Sequence, residues 1–436
     1  MVRFSSMSSP AMTGEGPGAD RRWAVLVGVA DVEEVRLVSQ QGPRVAVLAR
    51  RGTEHRLDGV GSEVIAVEGF DVDGSDIDAY DRAVPEMAEH LLHWIATLGP
   101  PEAVLGLHEH TILPAARLRE IAGVDGVRIA VAERCRDKIA MKEAVSRAGV
   151  KTPRYLDAEG SGAGIVEGTF GADEALVLKP RSGAAALGVR IFSGVPEFLV
   201  AHPDGRIPVG YELEEFIDEV VCHIDGVVSH GEVAFCEPAK YLGTPLEYQR
   251  QRRPLGSVSL QDAASRTRAR EFAQDVLGAV GLEDGVFHLE AFLAGDEFVF
   301  LEVANRVGGG PIRAALRMRT GIDLLVEAIK VSLGLPPSLA SESSSSVTGW
   351  AMVPAAVGEG AAAQRIATAE LPTTVIRDGL PTDGSPVTPS EDVWNAAAMV
   401  LFRGATAAEV ENDVEKAMRE VVVTAPSRRR ENGVTA

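Results

Sequence analysis

The sequence predicts a multidomain protein that combines α/β and α+β architecture. In the first third of the chain, short apolar runs alternate with helix-length segments, a pattern typical of a parallel sheet covered on both faces. In the middle third, pairs of apolar runs joined by glycine-containing turns predict antiparallel hairpins. The 436 residues exceed what one hydrophobic core usually holds, so two to four compact units are expected.

The first 125 residues divide into a polar segment and an α/β domain. Residues 1–20 are rich in Ser, Gly, Met and Pro and are predicted to be disordered. Residues 21–125 are predicted to form the α/β domain, with a helix over residues 80–98. The first strand carries only Gly28 in place of a GxGxxG motif, so no dinucleotide site is predicted there. The four predicted strands are Trp23 to Ala30, Arg44 to Arg50, Glu63 to Glu68 and Ala103 to His108.

Three polar residues, His108, Glu109 and His110, follow the fourth strand. Ligand contacts in parallel sheets are usually made where a strand ends and a loop begins, so this position is a candidate binding site. A capping or structural role explains the same residues equally well. We treat Glu109 as a candidate substrate-binding residue.

A lysine at the end of an apolar strand marks the next candidate site. Lys179 is followed by a loop of small residues, 182–188, and then by a second strand. Backbone N–H groups of such a loop, together with one ammonium group, are suited to polyphosphate binding. An ordinary hairpin with a surface lysine is the alternative. A second lysine, Lys138, lies at the start of a helix predicted over residues 137–148.

The segment HLEAFLAGDEFVFLE, residues 288–302, carries two glutamates among apolar side chains. Its alternation predicts two strands joined by a tight Gly-Asp turn, with Glu290 and Glu302 facing each other to within one residue of register. Two adjacent acids repel each other and lose hydration, so a hard cation such as Mg²⁺ is a natural partner. A solvated sheet face that carries two acids is the alternative.

The last hundred residues begin with a linker. Residues 341–346, SESSSS, are flexible by composition. Residues 347–425 alternate strand and helix patterns and are predicted to form a small α+β lobe. Residues 426–436 are predicted to be a disordered tail.

The composition argues against several classes of function. The formal net charge of −20 argues against nucleic acid as a partner. The three cysteines lack CxxC spacing, so neither a zinc knuckle nor a disulfide framework is indicated, and a reducing compartment fits. No run has the length and apolar character of a signal peptide or a membrane span, so no membrane association and a cytoplasmic location are expected.

Five segments, taken in order, resemble the ATP-grasp superfamily. They are RCRDKIAMKEAVSRAGVKTPRY, LVLKPRSGAAALGV, LEEFIDEVVCHIDG, FHLEAFL and FLEVANRVGGG. They are most similar to the branch of carboxylate-amine ligases that includes dipeptide and L-amino-acid ligases, and the similarity spans residues 125–335. The resemblance implies an ATP-grasp fold with a Rossmann-like pre-ATP-grasp domain over residues 21–125 and a small C-terminal α+β lobe. The two ATP-grasp subdomains are expected at 126–210, with the phosphate lid, and at 211–340, with the hinge and the metal site.

The resemblance also implies where ATP and a metal ion bind. Lys138 and Lys179 are expected on the ATP phosphates, with the loop after Lys179 as a lid. Backbone groups of the hinge from Glu214 to Ile217 are expected at the adenine ring. Glu290 and Glu302 are expected to hold Mg²⁺, for which Mn²⁺ can substitute. The other residues expected at the nucleotide are Ser182, Gly183, Gly188, Phe216 and Glu219.

This sequence departs from the family pattern at two positions. Ala304 stands where many members have a metal-binding Asn, so Asn305, one position further on, is the expected third ligand. Val221 stands where a ribose-binding Glu is usual, which leaves Glu219 or Asp218 for that role.

The implied reaction joins a carboxylate to an amine. ATP converts the carboxylate to an acyl phosphate with release of ADP, and the amine then displaces phosphate to form a peptide or isopeptide bond, with amino acids as the expected substrates. Arg306 and Lys179 are the expected catalytic residues. A homodimer is expected from the same resemblance. The residues expected to bind the substrates are Arg306, Gly308, Gly309, Gly310, Glu109 and His223.

Two other interpretations stay open. An ATP-grasp enzyme can instead make carboxyphosphate and carboxylate its substrate, although no biotin-carrier segment is recognisable here. The chain can also be an ATP-binding regulatory or scaffold protein with an inactive site. The presence of Lys138, Lys179, Glu290, Glu302 and Arg306 argues against an inactive site, which would have no chemical need for all five.

Overall fold

The structure, a computed structural model, describes residues 22–28, 31–61, 63–72, 78–184, 186–338, 346–354, 361–363, 386–387, 396–420 and 423–424. The segments predicted to be disordered, 1–20 and 426–436, and most of the linker 341–346 lie outside these residues. Within the described ranges, no helix has the length and apolar character needed to cross a membrane.

The first unit is a parallel four-stranded sheet with strand order β3-β2-β1-β4. One face packs on α1 and α12, and the other packs on α2 to α4, so both faces are buried as the apolar strand runs predict. Its strands are β1 (Trp23–Gly28), β2 (Arg44–Arg50), β3 (Val64–Phe70) and β4 (Ala103–Gly106). Its helices are α1 (Val32–Gln40), α2 (Ala79–Arg82), α3 (Val84–Leu98) and α4 (Ile112–Ala122), and α12 (Leu324–Ser332) comes from later in the chain.

The second unit is an antiparallel four-stranded sheet with strand order β5-β8-β6-β7. Two short helices cover it through a core that includes Phe170, Phe192 and Phe198. Its strands are β5 (Tyr155–Asp157), β6 (Leu176–Pro180), β7 (Arg190–Phe192) and β8 (Tyr211–Glu215), and its helices are α7 (Ala163–Thr169) and α8 (Val195–Ala201).

The third unit is an antiparallel seven-stranded sheet with strand order β13-β12-β9-β10-β11-β14-β17. Its strands are β9 (Val220–Ser229), β10 (Glu232–Leu242), β11 (Leu255–Ser259), β12 (Gly285–Ala294), β13 (Glu297–Ala304), β14 (Val347–Pro354) and β17 (Ala396–Gly404). The helices around it are α5 (Ile129–Arg134), α6 (Lys138–Arg147), α9 (Pro245–Gln251), α10 (Ala263–Val280), α11 (Ile312–Thr320) and α13 (Ala407–Glu420). A small sheet of β15 (Ala361–Ala363), β16 (Pro386–Val387) and β18 (Val423–Thr424) lies beyond it in the chain.

The unit boundaries differ from those expected from the sequence. Strand β8 pairs with β5 and β6, so the unit expected to end at residue 210 extends beyond it. Helix α6 packs through Met141 and Val145 into the core beneath the seven-stranded sheet. Strands β14 and β17 continue that same sheet, since β14 pairs with β11, and do not form a separate lobe. The edge of β11 offers unpaired backbone groups that β14 can satisfy, and this long-range pairing leaves no local signal in the sequence.

Candidate active site

A cavity of about 510 Å³ lies between the second unit and the seven-stranded sheet. Strand β6, the loop after it and the end of β8 line one side, and β10 to β14 with the start of α11 line the other. One face of the seven-stranded sheet is packed on α6 and α10, so the opposite face is the one that meets the cavity.

The two predicted acids face each other across the β12–β13 hairpin. A two-residue turn, Gly295–Asp296, joins the strands, and Gly295 takes the left-handed conformation that such turns favour. The plain register of this turn would place Glu290 opposite Leu301. A bulge at that point shifts the register by one residue, so Glu290 pairs with Glu302 and both line the cavity.

A buried hydrogen-bond network holds Glu290 in place. Tyr241 donates its hydroxyl to Glu290 Oε1 at 2.8 Å, and His288 Nε2 lies 3.4 Å from the same oxygen. Asp225 is shared between His288 Nδ1 at 2.9 Å and His223 Nδ1 at 2.6 Å. Burial alone would lower the pKa of His288, but Asp225 and Glu290 raise it to about 10. A protonated His288 therefore balances two carboxylates.

Glu302 is paired with the first predicted lysine. Lys138 Nζ lies 3.1 Å from Glu302 Oε2 and donates to the carbonyl of Gly183 at 2.7 Å. Lys138 is the first residue of α6, and Asp137 caps that helix by accepting from Ile139 N at 3.0 Å. The Lys138 ammonium group thus connects the Glu302 carboxylate to the loop after β6.

The second predicted lysine belongs to a cluster of four buried charges. Lys179 lies 2.6 Å from Glu214, and Lys142 lies 2.7 Å from Glu212 and also contacts Glu214. Burial would lower the pKa of Lys179, but Glu214 and Glu212 raise it well above its ordinary value. The sequence reasoning missed Lys142 and Glu212. The pattern YELEE was the available signal, because it places two acids on one face of a strand.

A third charge cluster joins the first unit to the cavity. The Glu109 carboxylate contacts the guanidinium groups of both Arg136 and Arg306, and Arg136 also donates to the carbonyl of Ser182 at 2.6 Å. Burial alone would raise the pKa of Glu109, but the two arginines lower it to about 2. The loop after β4 therefore places the Glu109 carboxylate against Arg306, and Glu109 itself does not line the cavity.

Replacing Glu109 with glutamine is expected to lower the free energy of unfolding at pH 7 by about 3 kcal/mol. A depressed carboxyl pKa stabilises the fold fully above the unfolded value of 4.5, and this stabilisation is lost as the pH falls to about 2. The difference in Tm between wild type and variant should therefore shrink between pH 4.5 and pH 2. Glu102→Gln, which breaks an exposed ion pair with Arg22, is the control and should change Tm little. A Tm difference that is the same at pH 7 and pH 3 would contradict this assignment.

The glycine-rich turn after Arg306 packs closely on the histidine network. A Cβ atom on Gly308 would lie 2.5 Å from Asp225 Oδ1, so only glycine fits there. Gly309 lines the cavity beside Arg306, and Gly310 lies next to Met352. Helix α11 begins directly after this turn.

The structure places the other expected nucleotide residues as follows. Phe216, Ile217 and Glu219 line the cavity beyond the end of β8, and Gly183 lines it from the loop. Ser182 and Gly188 belong to the same loop but do not line the cavity. The side chain of Glu214 points into the lysine cluster, and residue 185 is outside the described part of the loop.

Asn305 does not join the two acids. It lies beside Gly285 and lines a different, smaller cavity. Ala304 lies on the same face of β13 as Glu302, but alanine has no atom that can bind a metal ion. The next residue, Asn305, points away from this face. The expectation that Asn305 is the third metal ligand is therefore wrong. His223 likewise does not line the main cavity; its Nδ1 atom lies 2.6 Å from Asp225, and its ring packs against Tyr241, which does line the cavity.

The donor set of Glu290 and Glu302 fits a hard divalent cation. Both residues offer carboxylate oxygens to one cavity, and oxygen ligands are those that Mg²⁺ prefers. His223, Asp225 and His288 form a second group of potential ligands. Their facing atoms already bond to one another and to Ser257, so this group satisfies itself without an ion.

No family model matches the chain. It is 24% identical over 272 residues to an L-arginine-specific L-amino acid ligase of Bacillus subtilis, which covers 60% of this chain and 64% of that protein. It is 30% identical over 280 residues to a formate-dependent phosphoribosylglycinamide formyltransferase of Rhodococcus jostii, which covers 57% of this chain and 66% of that protein. The chain thus spans just under two thirds of the length of these curated relatives.

Solved structures share the fold over nearly the whole chain. An L-amino acid ligase from Bacillus licheniformis matches with a TM-score of 0.68 and 17% identity, over 93% of this chain and 99% of that one. A phosphoribosylglycinamide synthetase from Anaerococcus prevotii matches with a TM-score of 0.64 and 13% identity, over 93% and 100%. An N5-carboxyaminoimidazole ribonucleotide synthetase from Thermotoga maritima matches with a TM-score of 0.60 and 16% identity, over 93% and 100%.

Proposed function

The chain belongs to the ATP-grasp superfamily and has its fold, as the sequence predicts, and on this premise we propose that it is an ATP-dependent carboxylate-amine ligase. It forms an amide bond, peptide or isopeptide, between amino acids and releases ADP and phosphate. An L-arginine-specific L-amino acid ligase is among its relatives, which supports this choice of substrates.

One observation carries the proposal. A single cavity holds two opposed carboxylates, Glu290 and Glu302, together with the cations Lys138, Lys179 and Arg306. Such a set suits the transfer of a phosphoryl group, in which the protein mainly positions the reactants and stabilises shifting charge. No nucleophilic side chain is required.

Glu290 and Glu302 are the residues that would hold Mg²⁺, or Mn²⁺ in its place. The bound cation would supply positive charge that neutralises the ATP phosphates. Tyr241 and His288 orient Glu290 toward this role through their contacts with Oε1. Asn305 points into another cavity and would not supply a third ligand.

The protein groups act on the phosphates and the substrate carboxylate. Lys138 and Lys179 bind the phosphates, and the loop 182–188 closes over them with its backbone N–H groups. Arg306 orients the substrate carboxylate, one oxygen of which attacks the γ-phosphorus, and ADP leaves with the electrons of the broken P–O bond. The amine nitrogen then attacks the acyl carbon, loses a proton, and releases phosphate. Glu109 does not line the cavity and would act on the substrate through Arg306, which it contacts.

The nucleotide base is expected where β8 ends. Phe216 and Ile217 offer an apolar wall and backbone groups to the adenine ring, and Glu219 is the candidate for the ribose hydroxyls. These residues line the same cavity as Lys138 and Lys179, which supports this orientation of ATP.

The test is release of ADP and phosphate from Mg-ATP with pooled amino acids, followed by mass spectrometry. A product equal in mass to two components minus water is the expected result. ADP release that depends on bicarbonate would favour the carboxyphosphate alternative, and release of AMP would overturn the mechanism. Thermal stabilisation by Mg-ATP without any turnover would favour an inactive binding protein. Light scattering of the same sample tests the predicted homodimer.

Arg306→Lys is expected to lower kcat/KM for the acid about 10²-fold, because an ammonium group cannot form the paired contacts of a guanidinium. The KM for ATP should change little. Initial rates of ADP release at varied acid and ATP concentrations measure both quantities. Arg313→Lys, on α11 outside the cavity, is the matched control. If both substitutions lowered kcat/KM equally, Arg306 would have no specific role in the reaction.

A further inference from the structure

One end of the cavity, where β11 and β14 line it, is apolar. Its floor is formed by Leu255, Trp350 and Met352, which are all nearly inaccessible to solvent. Leu255 pairs with Met352 across β11 and β14, so the two side chains share one face of the sheet. Ile312 of α11 and Leu246 of α9 also line the cavity.

The apolar surface is continuous with the reacting centre. Tyr241 of β10 packs edge-on against Trp350, with ring centroids 6.1 Å apart, and its hydroxyl reaches Glu290. On the other side, a Cβ built on Gly310 would lie 3.4 Å from the sulfur of Met352, so the glycine turn that follows Arg306 borders this end directly. A carboxylate held at Arg306 would therefore direct its side chain onto this surface.

The charged groups near this end already have partners. Glu247 of α9 accepts from Thr244 and pairs with Arg253 at 2.9 Å. Glu290 is bound by Tyr241 and His288, and Arg306 pairs with Glu109. A charged side chain placed against Trp350 and Met352 would lose its hydration without gaining an ion pair from the residues described.

We propose that the acid substrate carries a bulky, uncharged apolar side chain that lies against Leu255, Trp350 and Met352. The amino acids that fit are leucine, isoleucine, methionine and phenylalanine, and the acidic and basic amino acids are excluded. This inference rests on the proposed ligase function, since it identifies the acid that the same site activates.

The experiment supplies single amino acids as the acid, with Mg-ATP and with hydroxylamine to trap the activated acyl group as a hydroxamate. Leucine and aspartate are a matched pair, because their side chains branch alike and differ mainly in charge. We expect kcat/KM for leucine, methionine and phenylalanine to exceed that for aspartate and lysine at least about 100-fold. Equal or better use of aspartate or lysine, with hydroxamate still formed, would overturn the inference and leave the ligase function standing.

A pair of methionine variants tests the location. Met352→Ala enlarges the apolar end and should raise KM for leucine about tenfold while kcat for phenylalanine changes little. Met399→Ala is the matched control, because Met399 pairs with Met352 on the next strand but does not line the cavity. Equal effects of the two substitutions would place the side chain elsewhere.

The two proposals fail in different ways. If no amino acid yields hydroxamate or ADP while Mg-ATP still raises Tm, the ligase function fails, and the substrate class falls with it. If hydroxamate forms with a preference for charged acids, only the substrate class is wrong.

Discussion

Glu302→Gln is expected to reduce ADP release at least about 10³-fold while ATP still binds weakly. The amide keeps the shape of the side chain but removes one of the two negative charges that face each other across β12 and β13. A divalent cation loses a charged ligand, and the phosphates lose the charge neutralisation that the cation supplies. Initial rates of ADP release measure the loss, and the Tm shift produced by Mg-ATP measures the remaining binding.

Glu297→Gln is the control for this substitution. Glu297 lies on the same strand, but its side chain is exposed, pairs with Lys151 and does not line the cavity. Loss of the Glu297 charge should leave the rate of ADP release within twofold of wild type, because exposed ion pairs contribute little to stability. Unchanged turnover in Glu302→Gln would show that Glu302 is not a metal ligand.

Lys142→Met is expected to lower the free energy of unfolding by about 3–5 kcal/mol. Lys142 is fully buried between Glu212 and Glu214, and methionine fills much of its volume without its charge. Two buried carboxylates would then share Lys179 as their counter-charge. Denaturant unfolding of wild type and variant at pH 7 measures the difference.

The pH dependence distinguishes this electrostatic effect from a packing defect. Burial alone would raise the pKa of Glu214, but Lys142 and Lys179 lower it, so its stabilising effect is present at neutral pH and is lost as the pH falls. The stability difference between wild type and Lys142→Met should therefore shrink below about pH 4.5. Glu143→Gln, on the exposed side of the same helix, should cost little at any pH. A loss in Lys142→Met that does not vary with pH would point to packing alone.

Local patterns were sufficient to predict the strands of the first unit and the acid hairpin. The apolar runs coincide with β1 to β4 because a strand buried on both faces needs continuous apolar residues, a property that can be read from a few neighbouring positions. Glu290 and Glu302 were recognisable because carboxylates inside an apolar strand need a partner. Their final pairing depended on a bulge, which the sequence left uncertain by one residue.

Contacts between residues distant in sequence were not predictable in the same way. Glu109 meets Arg306 across 197 positions, and Lys142 meets Glu212 across 70, so neither pair produces a periodic signal. Asn305 was assigned to the metal because it is near Glu302 in the sequence, yet the end of β13 turns it toward Gly285. Nearness along the chain does not determine the side to which a side chain points.

The fold class and the resemblance to the ATP-grasp superfamily could be read from the sequence alone, because each depends on residue types in short, ordered segments. The pairing of the buried charges and the shape of the apolar end of the cavity became visible in the folded structure and not before. That end is built from β11, β14 and α11, which are far apart in the chain and meet only when β14 joins the seven-stranded sheet. The physical reason is that the pairing of distant strands and the burial of charges are properties of the whole packed molecule.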